Sequence, residues 1–292
     1  MKSHLVLAAL LAVQPAWAKI AFDDTPLSIP MTDAQSRAHL LAGRLCTPQG
    51  AAGKLRVVVL NHGSPSDSNE RPRMNLGGCG NDVSQWFLSR GLAVVYVMRR
   101  GYGPTGGNWA EDYGSCDFPD YVHGGLESAR DVDATVNYVT TLPQIRPDGA
   151  VVGGVSAGGW ATLAYGAISH PKVAALVDFA GGRGGHHNNK PNNNCRPDRL
   201  AEAAGFYAKT QTTPMLWVYA ENDSFFRPEI AAALYKSFSD HGGKADFHAM
   251  PAFGDEGHHL FGAKGGSEVW GPLVETYLKQ QGVLDADGKA AP

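Results

Sequence analysis

The chain has 292 residues, with 25 Lys and Arg against 28 Asp and Glu, for a formal charge of −3. This balance lacks the basic excess expected of a partner for nucleic acid or an anionic membrane, and the length suits one large α/β domain. Lys2, an apolar stretch over 5–13 and the small-x-small pattern Ala16-Trp17-Ala18 make residues 1–18 read as a secretory signal peptide. The apolar run falls well short of the roughly 20 residues of a spanning helix, and no later stretch reaches that length. The expectation is therefore a secreted or periplasmic protein without a membrane anchor, its single domain covering 19–292.

In chain order, short strands near 27–30 and 39–46 predict an antiparallel edge. Apolar runs over 55–60, 92–97, 150–155, 173–179, 215–219 and 245–250 predict core strands. Between them, apolar residues recur at three- and four-residue intervals over 82–89, 125–142, 160–169, 228–241 and 268–281, which predicts helices. Ile230, Ala233, Leu234 and Phe238 form one such stripe. The alternation predicts an α/β fold: a mostly parallel central sheet with helices on both faces. After the sixth strand, 180–213 has room for a loop and one short helix near 199–208, a small cap. The tail beyond Gly282 is small and polar and reads as frayed.

Cys46, Cys79, Cys116 and Cys195 in an exported chain predict disulfides, and their spacing is too wide for a zinc pattern. The strand directions put Cys79, Cys116 and Cys195 in loops on one rim of the sheet and Cys46 at the opposite end. Cys116 with Cys195 is the favoured pair, because each lies in a long Gly-rich loop that is costly to order. Cys79 with Cys116 is the second choice.

Gly154-Val155-Ser156-Ala157-Gly158 falls between a strand and a helix. A G-x-S-x-G there makes a nucleophile elbow, a sharp turn that exposes the serine hydroxyl while the glycines let strand and helix approach. A serine needs a base to take its proton and a third group to orient that base. Downstream, Glu221-Asn222-Asp223 follows one strand and Gly257-His258-His259-Leu260-Phe261 follows the last, both on the rim that carries Ser156. Asp223 is the favoured acid, with Glu221 as the alternative, and His258 is favoured over His259. Upstream, Asn61-His62-Gly63-Ser64-Pro65 ends another strand, and Arg99-Arg100-Gly101-Tyr102-Gly103 ends the next.

Together these motifs resemble the α/β-hydrolase superfamily, and more narrowly its exported dienelactone-hydrolase-like and prolyl-oligopeptidase-like group. The resemblance spans the chain from the first strand to the last helix. It implies Ser156 as nucleophile, His258 as general base and Asp223 as its orienting acid. It also implies an oxyanion hole from the backbone amides of Ser64 and Ala157, with His62 bracing the turn. Dienelactone hydrolases use a cysteine nucleophile where this chain has Ser156, which turns the reading toward a general serine esterase acting on a small-molecule ester.

Trp109 and Tyr113, in the long loop after the fourth strand, are candidates to line the substrate pocket, whereas Trp86 and Trp217 read as core. Arg183, among glycines, reads either as a fork for a substrate carboxylate or as a solvated loop residue. His186, His187 and Asn188 lack a defined ligand geometry and a nearby carboxylate, so no metal and no cofactor is expected. A serine peptidase, an acyltransferase and a catalytically silent binding protein stand as alternatives. The peptidase reading is disfavoured because the length leaves no room for a propeller domain, the silent one because all three triad residue types are present.

Overall fold

A computed structural model describes residues 19–168 and 171–291. The expected signal peptide, 1–18, lies outside the described residues. The elements are β1 (Phe22–Thr32), β2 (Ala38–Pro48), β3 (Val57–Asn61), α1 (Asp82–Leu88), β4 (Ala93–Val97) and α2 (Tyr121–Val139), followed by β5 (Ala150–Val155), α3 (Ala157–Gly166) and β6 (Val173–Phe179). The chain continues through α4 (Pro197–Ala208), β7 (Met215–Ala220), α5 (Pro228–Asp240), β8 (Ala245–Met250) and α6 (Gly266–Gln280). One eight-stranded sheet forms in the order β1-β2-β4-β3-β5-β6-β7-β8. β1 and β2 pair antiparallel, β2 joins β4 antiparallel, and the remaining pairs are parallel.

Period-two alternation sends successive residues of the parallel strands to opposite faces. Val57 and Val59 join one core layer with α2, α3, α4 and α5, while Val58 and Leu60 join the other with α1 and α6. Strand order reverses at β3, whose neighbours are β4 and β5, so a crevice opens at their carboxyl ends. The chain thus has the α/β-hydrolase fold.

Several expectations are corrected. The edge hairpin is longer than the short strands expected, with 11 residues in each arm. α2 begins earlier because the Asp120 carboxylate accepts from the His123 amide at 2.9 Å, an N-cap that apolar periodicity does not reveal. The short helix expected near 199–208 is present as α4, which packs Leu200, Ala203, Ala204 and Tyr207 into the helical layer and leaves the part of 180–213 near the site as loop. The tail is tied down: Val283 and Leu284 are buried, and the Ala290 amide donates to the Arg90 carbonyl at 2.7 Å.

Cys116 is joined to Cys195, and Cys46 to Cys79. The separation expected between Cys46 and Cys79 is wrong. The loop before α1 folds back over the sheet, with Arg44 Nη1 on the Gly77 carbonyl at 3.4 Å and the Asn81 amide on Tyr96 Oη at 3.0 Å. Both cysteines are thereby buried in the layer under α1 and α6. Among the described residues no helix is long and apolar enough to cross a membrane.

Candidate active site

Ser156 occupies the turn between β5 and α3 with φ 58° and ψ −122°, in the left-handed half of backbone space that a non-glycine residue enters only under strain. The flanking glycines make the turn sterically possible. A Cβ on Gly154 would collide with the Gly158 carbonyl, and one on Gly158 with the carbonyls of Asn61 and His62. Gly63 also packs tightly against the turn, since a Cβ there would stand 3.3 Å from Ser156 Cβ. The amides of Ser64 and Ala157 therefore border the serine, and neither has a hydrogen-bond partner among the described residues. Ala157 also opens α3, where the helix dipole favours negative charge.

His62 braces this turn. Its Nε2 accepts from the Arg99 amide at 3.2 Å, which assigns the ring proton to Nδ1 and makes Nδ1 the donor to the Gly63 carbonyl at 2.6 Å. Burial, reinforced by the Arg99 charge, pushes its pKa down to about 3, so the ring is neutral.

After β7, the buried Asp223 directs both carboxylate oxygens. Oδ1 accepts from the amides of Phe225 and Phe226 at 2.7 and 2.8 Å, and Oδ2 pairs with His258 Nδ1 at 2.9 Å. Glu221 and His259 are exposed, and His258 is buried. The Phe225 ring stacks on His258 with centroids 4.2 Å apart, and His186 stacks on the same Phe225 ring at 3.4 Å. Glu256 closes the frame by accepting from the Ser224 amide at 3.0 Å and the His258 amide at 3.1 Å, and from the Ser224 hydroxyl. Burial works against its charge, but these hydrogen bonds outweigh it and hold the carboxyl below the ordinary glutamate range.

Ser156 and His258 line one cavity of about 600 Å³. Among the described residues no hydrogen bond joins Ser156 Oγ to His258 Nε2, a contact that commonly tightens only with substrate bound. A second cavity, of about 80 Å³, meets the first at Ser156 and Ser64 and is lined by Arg71, Trp109, Tyr113 and Arg183.

Arg183 is neither the solvated residue nor the free fork considered from sequence. It is buried, and its Nη2 pairs with the fully buried Glu111, which also takes Arg99 Nε. Burial alone would raise the Glu111 carboxyl, yet Arg183 and Arg99 outweigh it and hold the pKa at about 2. Tyr102 Oη ties the cluster to the site, 3.0 Å from both Ser64 Oγ and Glu111 Oε2 while accepting from Trp109 Nε1 at 2.8 Å.

Arg71, Glu111, His186, Phe225 and Glu256 were not singled out from sequence for this site. The one usable signal was Arg99 at a strand's carboxyl end with an acid twelve residues on. The ligand atoms of Cys116, His187 and Cys195 approach within 4.8 Å of one another, but the disulfide occupies both sulfurs.

Neither a protein-family model nor a curated protein sequence matches the chain. Solved structures do. An acylaminoacyl peptidase of Pyrococcus horikoshii aligns with TM-score 0.65 at 18% identity over 90% of this chain and 42% of its own, so this chain spans less than half of that protein. An esterase of Pyrococcus furiosus aligns with TM-score 0.58 at 16% identity over 89% of this chain and 93% of its own. A protein of Klebsiella pneumoniae assigned as a dienelactone hydrolase gives 0.57 at 14%, over 89% and 98%. At these identities the likeness establishes the α/β-hydrolase fold.

Proposed function

We propose that the chain is a serine hydrolase that cleaves carboxylic esters through an acyl-enzyme. The observation that carries this reading is Ser156 at a strained strand-to-helix turn, beside two unpartnered amides and sharing a cavity with the His258–Asp223 pair. In this reading Ser156 Oγ attacks the acyl carbonyl as His258 takes its proton, and the amides of Ser64 and Ala157 hold the developing oxyanion. The C–O bond then breaks and the alcohol leaves with the proton from His258. Water, deprotonated by His258, attacks the acyl-serine, releasing the acid and restoring the serine.

Asp223 keeps the imidazole in the Nδ1–H tautomer and stabilises its charged form. Neighbours of esterase and dienelactone hydrolase type support hydrolysis at the coarse level. The two disulfides are consistent with an extracellular location and with export as part of this proposal.

The likeness to an acylaminoacyl peptidase supports a second reading, amide cleavage by the same residues. An amide is the poorer leaving group and demands more positioning. A panel of short-chain acyl esters and peptide amides separates the two. The expected result is measurable acetyl or butyryl ester hydrolysis with little amide release. A kcat/KM on peptides at or above that on esters would replace the esterase by the peptidase.

A further inference from the structure

Two cavities meet at Ser156, and their chemistry differs. The larger, about 600 Å³, is bordered by His258, His259 and Met74. A leaving alcohol must collect its proton from His258, so this side takes the alcohol half of the substrate. The acyl half is left with the smaller cavity, about 80 Å³, room for only a short chain.

That cavity is cationic. Arg183 on its wall is already paired with Glu111, but among the described residues Arg71 has no acid partner. Among the described residues the Arg71 guanidinium has no ion pair and no side-chain hydrogen bond, and its Nε is buried without a partner. Cζ sits 3.4 Å from the centre of the Trp109 ring. The ring in turn is held by its Nε1 bond to Tyr102, so the cation rests on a fixed shelf. Arg71 and Arg183 line the cavity, and the Glu111 carboxylate behind the wall is shared between Arg183 and Arg99, so positive charge is in excess there. Among the described residues Nε of both lining arginines is buried without an acceptor, which is unfavourable. A planar guanidinium is suited to a two-oxygen acceptor.

We propose that the small cavity binds a carboxylate at the far end of the acyl group, seated by Arg71, so that the preferred substrates are monoesters of short dicarboxylic acids. This inference rests on the esterase reading above. The reaction is unchanged in its balance: one ester and one water give one dicarboxylic acid and one alcohol.

The test compares kcat/KM for monoethyl succinate with that for the neutral ethyl butyrate. The protein should prefer the succinate ester at least tenfold, and Arg71→Gln should lower that ratio at least tenfold, with Arg71→Lys in between. Titration of the full chain with succinate, with butyramide as neutral control, supplies a readout independent of turnover; its heat should vanish in Arg71→Gln. If both esters are cleaved without preference, or if the preference survives Arg71→Gln, the subsite is overturned and the esterase stands. If neither ester is cleaved, the esterase reading falls and the titration alone decides: succinate binding lost in Arg71→Gln supports the subsite, and no binding overturns it.

Discussion

The two walls of the cleft differ in how they are held. Ser156, Asp223 and His258 stand at the carboxyl ends of β5, β7 and β8, where a parallel sheet dictates backbone position and each turn has a local steric or hydrogen-bond reason. Arg71, Trp109, Tyr113 and Arg183 come from three separate segments between strands and helices; the Glu111–Arg183 pair and the Cys116–Cys195 link join two of them, and Arg71 rests on Trp109 from the third. In the proposed function the sheet-built wall supplies the groups of acyl transfer. The proposed carboxylate subsite places discrimination between acyl chains on the loop-built wall, and loops are where such variation is tolerated.

This contrast is sharpest in mutant behaviour. On the sheet-built wall, His258→Ala should lower kcat by about 10⁶-fold, whereas His259→Ala, at an exposed position, should cost less than about tenfold. Asp223→Asn should cost about 10³ to 10⁴-fold with the fold retained, because an amide oxygen can still accept from the Phe225 and Phe226 amides. Glu221→Gln should do little. Equal losses at both histidines, or a larger loss at Glu221, would reassign the roles.

On the loop-built wall the dominant effect should be on stability. Glu111→Gln leaves Arg99 and Arg183 buried without their shared carboxylate, and breaking such a pair costs about 3–5 kcal/mol. A urea midpoint unchanged from the parent would show that the ion cluster does not hold this wall.

The smallest effect concerns pH. Under the elbow, burial pushes the Asp178 carboxyl up to about 8, with Oδ1 unpartnered and Tyr219 Oη 3.3 Å from Oδ2. Because the unfolded carboxyl ionises near 3.8, the folded state holds an extra proton between the two values. Its contribution to stability is full below about 4 and is lost as pH rises through 8. His62 acts in the opposite direction, its contribution fading as pH falls from 6.5 toward 3. Asp178→Asn should therefore reduce the loss of urea stability between pH 5 and pH 9. An identical pH profile in parent and variant would contradict the assignment.

The same contrast explains what the sequence made legible. The elbow is written locally, since Gly154 and Gly158 mark where backbones must touch, and the acid and histidine follow in order after apolar strands. The loop wall has no local signature. Arg183 among glycines reads as exposed until Glu111 is brought against it, and nothing near Arg71 announces that Trp109 will lie beneath it. The same limit hid the Cys46–Cys79 pair: alternating strands and helices give the direction of β2 but not the path by which the loop after β3 returns over the sheet. The tail likewise depends on a partner far away, the Arg90 carbonyl, which polarity alone cannot indicate.

Covalent capture of the nucleophile tests the central claim most directly. The intact chain treated with a fluorophosphonate and followed by peptide mass mapping should carry one adduct, on Ser156, and Ser156→Ala should carry none. An adduct on another residue, or none on the folded parent chain, would contradict the assignment of Ser156 as the acylated residue.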